Sequence, residues 1–217
     1  MKRTVKASFF MSFVFIALLS QPVFSQTLKD FFNSDATTAL YLGIDFTKTK
    51  LIDDLTTDET DIRDHQFAAI NEASATDSKK TSLAGAFHKK TLDHDLGLVT
   101  KRNMRIDPAQ IKSTNTSDFH RLKEDDISTL VKGFDYGDKK GLGILFVMEA
   151  MSKTSKSAAI WVTFIDMSSR KMLYTERMEE KTGMGFGFKN YWAIPVKRLL
   201  DDIEGDKFKE WKKKFSS

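Results

Sequence analysis

The sequence predicts an α/β protein: a three-layer sandwich in which a mixed sheet, ending in a three-stranded antiparallel meander, carries helices on both faces. Two observations support this fold class. Strand-like and helix-like apolar patterns follow one another in the order β-α-α-β-α-β-β-β-α. The two most apolar stretches, 141–151 and 158–167, carry apolar residues at successive positions, so neither face of either strand suits contact with water.

The first 25 residues have the pattern of a secretory signal peptide. Three basic residues among the first six precede an apolar run from Phe9 to Leu19, and a small residue, Ser25, stands at the expected cleavage point. The run is shorter than the roughly 20 residues that a membrane-spanning helix needs. We therefore predict a signal peptide at 1–25 and a single exported α/β domain at 26–217, periplasmic or extracellular and without a transmembrane anchor.

The amino-acid composition of the chain argues against several classes of function. The whole chain carries 34 basic and 30 acidic residues, but three of the basic residues lie in the predicted signal peptide, so the processed chain is nearly neutral. A nucleic-acid partner is therefore not expected. The chain has no cysteine, which excludes a cysteine nucleophile, a thiolate metal site and a lipoprotein anchor. No cofactor is expected.

The N-terminal part predicts one strand and two helices after a short entry segment, Leu28–Ser34. β-forming residues without a helical period predict a strand at Leu40–Phe46. Residues 77–78 offer the cap of a second helix that continues to Thr91. The apolar stripe of the first helix comprises Ile62, Gln66, Ala69, Ile70 and Ala73.

The middle of the chain predicts a strand, a loop and a helix. Leu98–Arg105 is rich in strand-forming residues, and the polar, proline-containing stretch 107–117 is typical of a loop. Apolar residues at helical spacing between Ile127 and Phe134 then predict a helix. Three carboxylates stand at its N-terminus, where the helix dipole favours negative charge, and Gly133 ends it.

Three consecutive strands are predicted at 141–151, 158–167 and 171–180, because the connections between them are short and polar. Pairing across the turn at 168–170 would place Ile165 opposite Leu173, Thr163 opposite Thr175 and Trp161 opposite Arg177. A cation–π contact is expected between Trp161 and Arg177.

The chain is predicted to end in two helices. The first runs from Tyr191 to Ile203, and Pro195 either delays its start or bends its first turn. Gly205 is expected to interrupt it. A short amphipathic helix follows, with Phe208, Trp211 and Phe215 on one face.

The predicted element order and layering resemble the N-terminal domain of TolB and the periplasmic domains of CsgG-like and LpoB-like envelope proteins. The segments Phe146–Lys153 and Gly185–Trp192 also resemble uncharacterised exported bacterial proteins. The resemblance implies an envelope protein that acts by binding partners, without catalysis. The absence of a lipoprotein cysteine departs from the CsgG-like and LpoB-like pattern.

The candidate binding site is the glycine-rich segment after the third strand of the meander. Its spacing, Gly183-x-Gly185-x-Gly187, matches no phosphate-binding loop, so the glycines are better explained by a tight turn. Four aromatic residues within seven positions cannot all enter one core, so at least one is expected in solvent, available to a partner. The predicted partner-binding residues are Gly183, Gly185, Phe186, Gly187, Phe188, Asn190, Tyr191 and Trp192.

Other candidate chemistries are weaker. The group His88, Asp93, His94 and Asp95 matches no metal-ligand spacing, and no metal ligand or catalytic residue is predicted. Glu149 and Asp166 stand in apolar strands and are the candidate carboxylates of a hydrolase, but each is at a strand end, where water is expected to be close. The lysines at 207–214 suggest either a docked amphipathic helix or a peripheral membrane contact through the basic C-terminus.

These observations lead to one leading hypothesis and two alternatives. The leading hypothesis is an exported, non-enzymatic protein of the bacterial envelope that acts by partner binding or assembly, with another envelope protein as its partner. The alternatives are an exported hydrolase with a carboxylate site and a small-ligand carrier.

Overall fold

The computed structural model describes residues 28–76 and 82–216, so the predicted signal peptide and the predicted cap at 77–78 lie outside the described residues. The strands are β1 (Leu40–Asp45), β2 (Lys50–Ile52), β3 (Asp93–His94), β4 (Lys112–Ser113), β5 (Leu142–Ser152), β6 (Ser157–Asp166) and β7 (Lys171–Lys181). The helices are α1 (Leu28–Asn33), α2 (Glu59–Asp61), α3 (Phe67–Ala75), α4 (Leu83–Ala86), α5 (Gly97–Asn103), α6 (Glu124–Lys132), α7 (Phe188–Asp202) and α8 (Phe208–Phe215). Single 3₁₀ turns occupy Pro108–Gln110 and Thr116–His120, and π-helical turns occupy Ile62–Gln66 and Ile203–Lys207.

The strands form one mixed sheet around β5. β6 pairs antiparallel with one edge of β5, and β7 pairs antiparallel with β6. β1 and β2 both pair parallel with β5, at 143–147 and 150–152, so they follow one another along its second edge. β3 and β4 extend that side of the sheet, also in parallel. Most pairings between described strands are therefore parallel, and the mixed α/β content predicted from the sequence is confirmed.

The register between β6 and β7 matches the prediction at two of three positions. Thr163 lies opposite Thr175, and their hydroxyl oxygens are 2.8 Å apart in a hydrogen bond. Trp161 lies opposite Arg177. Ile165 lies opposite Met172 instead of Leu173, because the register shifts after Phe164. Such a one-residue shift is the mark of a β-bulge, which alternation alone does not reveal.

Two buried asparagines complete the outer edge of β1, where β3 pairs only with the first two residues. The Ile44 N–H donates to Asn71 Oδ1 at 2.6 Å, and the Ile44 carbonyl accepts from the amides of Asn71 and Asn103. Asn103 Oδ1 accepts from the Phe46 N–H at 2.9 Å. Gly43, with φ +98°, allows this approach, since a Cβ there would lie 2.7 Å from Asn71 Oδ1.

The strand predicted at Leu98–Arg105 is wrong, because this stretch forms most of helix α5. Its buried side chains, Val99 and Asn103, are four residues apart and pack on the side of the helix that faces β1. The hydrogen bonds of Asn103 to β1 need that helical spacing. Tertiary contact here overrides the strand propensity of the local sequence. β2, β3 and β4 were not predicted, since strands of two or three residues show no alternation.

The C-terminal helix is longer than predicted. α7 begins at Phe188, before Pro195, and the proline lies inside it as a buried residue. Proline withholds only one backbone hydrogen bond there. Gly205 does not interrupt the helix, because residues 203–207 form a π-helical turn that leads directly into α8.

Both faces of the two central strands are covered, as the apolar residues at their successive positions predict. β5 is buried along its whole length, and β6 is buried except at Asp166. On one face Phe164 is the centre of an aromatic cluster with ring centroids 5.5–6.0 Å away, formed by Phe31, Phe32, Phe87 and Trp211. On the other face Trp161 and Glu149 lie beneath the turn Thr116–His120.

Candidate functional site

The predicted binding segment leaves the sheet at the end of β7 and enters α7. Three contacts fix its two ends. The Thr182 N–H donates to the Lys156 carbonyl at 2.8 Å, which ties the segment to the β5–β6 turn. The Thr182 hydroxyl bonds to the Tyr191 hydroxyl at 2.9 Å. Arg198 donates to the carbonyls of Lys181 and Thr182 at 3.1 and 3.2 Å.

At two of the three glycine positions in this segment, a side chain would be sterically unfavourable. A Cβ on Gly185 would lie 2.9 Å from the backbone of Asn190 and Tyr191, so only glycine lets the loop pack this closely on the start of α7. Gly187 has φ +77°, a left-handed conformation that other residues adopt at a cost. Asn190 adds a hydrogen bond from its amide to the Phe186 carbonyl. The loop is therefore held tightly at its base.

The four aromatic residues of the segment divide into an anchored group and an exposed one. Trp192 is completely buried, and Tyr191 and Phe188 are half-buried against it. Phe186 is 95% exposed, and its neighbour Met184 is fully exposed at 102%. The expectation that at least one aromatic residue lies in solvent is therefore met by Phe186. Its role in binding a partner stays a prediction.

Lys153 connects this segment to the loop that carries a third exposed apolar residue, Leu55. Its ammonium lies 4.2 Å from the centroid of the Tyr191 ring and 3.7 Å from the carboxylate of Asp54. Asp54 precedes Leu55, which is 78% exposed. Three loops therefore meet at this end of the sheet, and we call them the tip: residues 53–57, 153–156 and 183–187.

Three of the four large apolar side chains that are exposed in the described part of the chain lie at the tip: Leu55, Met184 and Phe186. The fourth, Met104, lies at the end of α5. Sequence reasoning did not select Leu55 or Met184. The available indication for Met184 was its place between two glycines, where no regular element can bury it. For Leu55 it was the surrounding acidic, threonine-rich stretch.

Glu180, on β7 just below the tip, has an unusual ionisation. Burial raises the pKa of Glu180 to about 7, and the nearby Asp202 and Asp201 act in the same direction, against the charge of Arg198. Between about pH 4.5 and pH 7 the folded protein therefore binds more protons at this site than the unfolded chain. The contribution of Glu180 to stability is then largest at the acid end of this window and falls as the pH rises to 7.

The fall in the stability contribution of Glu180 with rising pH gives a prediction for the variant Glu180→Gln, which cannot ionise. The melting temperature of the wild-type protein relative to the variant should fall as the pH rises from 5 to 8. Thermal melts of both proteins at several pH values measure this difference, in which the titration of all other groups cancels. Parallel curves would mean that Glu180 titrates normally.

The two candidate hydrolase carboxylates do not come together. Asp166 pairs with Leu142 at one end of β5, and Glu149 lies seven residues further along that strand. At about 3.3 Å per residue the two are roughly 23 Å apart, whereas paired glycosidase carboxylates stand about 5–10 Å apart. Asp166 caps the turn after β6 by accepting from Ser168 and Ser169.

The expectation that Glu149 is close to water is wrong. Glu149 is completely buried, at a bulge in β5 between Met148 and Ala150. Its carboxylate accepts from the Leu122 N–H at 2.6 Å, from Trp161 Nε1 at 3.0 Å and from Arg177 Nε at 2.7 Å. The bulge turns the side chain toward these donors. This arrangement joins three segments of the chain and leaves Glu149 without contact with solvent.

The predicted cation–π contact of Arg177 has a different partner. Its guanidinium lies 5.5 Å from the centroid of the Phe119 ring and donates to the Phe119 carbonyl at 2.6 Å. Trp161 instead uses its indole N–H to bond Glu149. Arg177 therefore fastens the turn Thr116–His120 to the sheet.

The histidines and aspartates considered above as metal ligands do not form a common site. His88 bonds the Glu204 carbonyl and stacks on Phe208 with ring centroids 4.2 Å apart. Asp95 is paired with Lys139. Within residues 28–76 and 82–216, no three histidine or acidic side chains are placed to hold a metal ion.

The basic C-terminal helix is docked on the sheet. Phe208 and Trp211 are buried, and the indole N–H of Trp211 donates to Glu176 at 2.6 Å. Lys207 forms ion pairs with Glu176 and Glu210. A membrane contact through the lysines of this helix stays a prediction. In the described residues no helix has the length and apolar character needed to cross a bilayer.

Comparisons with known proteins give weak structural similarities only. No protein-family model matches the chain, and no curated protein matches its sequence. Lipoprotein GNA1162 from Neisseria meningitidis is similar at TM-score 0.31 and 12% identity, over 78% of this chain and 97% of that chain. The hypothetical protein CT253 from Chlamydia trachomatis is similar at TM-score 0.34 and 11% identity, over 83% of this chain and 96% of that chain. Because both TM-scores are low, the function is inferred from the residues of this chain.

Proposed function

We propose that this protein is an exported, non-enzymatic component of the bacterial envelope that docks onto another envelope component through its tip. The exposure of Met184 and Phe186 is the observation that carries the proposal. Two large apolar side chains that protrude from the same tightly held loop gain stability when something covers them. Aromatic side chains are also frequent anchors of interfaces.

The surroundings of the loop support a docking role. Trp192 anchors the base of the loop in the core, and Lys153 and Arg198 hold its two sides. A loop fixed in this way loses little conformational entropy on binding. In this proposal the three-layer arrangement predicted from the sequence acts as the rigid support of the tip.

The two alternatives have less support. A hydrolase built on Glu149 and Asp166 would need carboxylates that lie together, and these lie at different ends of the sheet. A small-ligand carrier would need a mostly apolar, enclosing cavity. The cleft of about 380 Å³ beside α5 is instead open to solvent, and charged side chains, among them Arg102, Arg105 and Asp107, stand in its lining.

Co-sedimentation with envelope membranes tests the proposal. The double variant Met184→Ser with Phe186→Ser should bind membranes of the native host at least about tenfold more weakly than the wild-type protein, because the two lost side chains are the proposed anchors. Its melting temperature should be unchanged, since both side chains are exposed. Met104→Ser, which alters the exposed apolar residue on α5, is the matched control and should bind normally. Equal binding by the double variant and the wild-type protein would contradict the proposal.

A further inference from the structure

Lysines stand in the β5–β6 turn and around the loop that carries Met184 and Phe186, whereas the third loop of the tip, 53–57, carries Asp53 and Asp54. Residues 153–156 and 181–192 contain four lysines, at 153, 156, 181 and 189, and no acidic residue. Lys156, Lys181 and Lys189 are exposed. The side chains of Lys156 and Lys189 form no ion pair within the described part of the chain. Two exposed lysines, Lys156 and Lys189, therefore stand near the loop that carries the protruding Met184 and Phe186.

The carboxylates at this end of the sheet offset only part of that charge. Asp54 is buried and accepts hydrogen bonds from Thr57, and Asp53 accepts from the Thr154 hydroxyl. Glu180, with Asp202, lies below the loop beside Arg198. Asp54 is paired with Lys153, so the surplus positive charge beside the glycine loop rests on the exposed Lys156 and Lys189.

Resting on the proposed function, we propose that the envelope component bound by the tip is an anionic lipid bilayer. Met184 and Phe186 would enter the boundary between headgroups and acyl chains, while the lysines remain at the level of the phosphates. Each lysine near an anionic membrane surface adds to the attraction without needing a partner in a fixed position.

A lipid surface fits these residues better than a protein surface does. Apolar anchors of protein interfaces usually fill a pocket and are surrounded by near-neutral contacts that exclude water. The charged residues of the segment 181–192 are lysines, which a protein partner would either leave in water at the rim of the interface or pair with its own carboxylates. A bilayer supplies mobile negative charges and an apolar layer together.

Vesicle co-sedimentation of the chain from residue 26 onward tests the inference, since every described element lies within 28–216. Vesicles of phosphatidylcholine with one third phosphatidylglycerol should bind the wild-type protein, and vesicles of phosphatidylcholine alone should bind it at least about tenfold more weakly. Met184→Ser with Phe186→Ser should lose at least about tenfold on the anionic vesicles. Lys156→Gln with Lys189→Gln should also weaken binding and reduce its dependence on salt. Met104→Ser should bind as the wild-type protein does.

Three results would overturn the inference, each in a different way. In the first, the protein does not bind anionic vesicles, but its binding to host envelope membranes still depends on Phe186. The tip then binds a protein, and the proposed function is retained. If vesicle binding is unaffected by the tip variants, the membrane contact lies elsewhere, and the lysines of α8 are the next candidates. Loss of both vesicle binding and tip-dependent envelope binding would remove the proposed function as well.

Discussion

Replacing Glu149 with alanine is expected to lower the free energy of unfolding by about 3–5 kcal/mol. The carboxylate is buried and accepts from Leu122, Trp161 and Arg177. Its removal leaves two buried N–H donors without an acceptor, while the Arg177 guanidinium loses one of its carboxylate partners and keeps Phe119 and Glu179. Each of these groups loses a hydrogen bond that water cannot replace at this site.

Urea unfolding of three variants distinguishes this explanation from a simple cavity effect. Glu149→Gln keeps the shape and one acceptor, so its loss should be clearly smaller than that of Glu149→Ala. Glu149→Leu combined with Arg177→Met replaces the ion pair by apolar groups but leaves the Leu122 and Trp161 N–H donors unsatisfied, so it should recover only part of the stability. A loss below about 1 kcal/mol for Glu149→Ala would show that the network does not hold the turn Thr116–His120 to the sheet.

Replacing Trp192 with alanine is expected to cost about 3–5 kcal/mol of unfolding free energy, because a completely buried indole leaves a large cavity. Trp192→Phe should cost much less. The indole Nε1 is buried and has no hydrogen-bond partner among the described residues, so phenylalanine removes an unsatisfied donor while keeping most of the ring.

The matched comparison is Phe186→Ala, six residues earlier in the chain. Because Phe186 is 95% exposed, this variant should change the unfolding free energy by less than about 0.5 kcal/mol. Denaturant unfolding of Trp192→Ala, Trp192→Phe and Phe186→Ala measures all three effects. Comparable losses for Trp192→Ala and Phe186→Ala would contradict the division of this segment into an anchored base and a free tip.

An element of the fold was predictable from the sequence where it is long enough to show a clear pattern of apolar residues. β5 and β6 are long and apolar on both faces, and their bounds follow from the sequence to within one or two residues. α5 was predicted as a strand because its identity depends on Asn103 reaching the edge of β1, a contact between residues 57 positions apart. β2 was missed because three residues give no period, and its place is set by pairing with the far end of β5.

The candidate site was predictable in part for a related reason. An excess of aromatic residues over available core positions indicated that one of them lies in solvent, but not which one. That choice depends on Gly185 packing against α7 and on Trp192 pointing into the core. The contribution of Leu55 was not predictable, because the turn 153–156 that brings its loop close to the segment lies about 100 residues further along the chain.

Accessibility of single cysteines tests the docking claim most directly, because the chain contains no cysteine of its own. Phe186→Cys places a thiol at the tip, and Ser168→Cys places one in the exposed turn at the opposite end of β6. The rate of reaction with a water-soluble maleimide is measured for each variant, free in solution and bound to envelope membranes. We expect membranes to slow labelling at position 186 at least about tenfold and to leave position 168 unchanged. Equal labelling of position 186 in both states, or protection at 168 instead, would contradict docking through the tip.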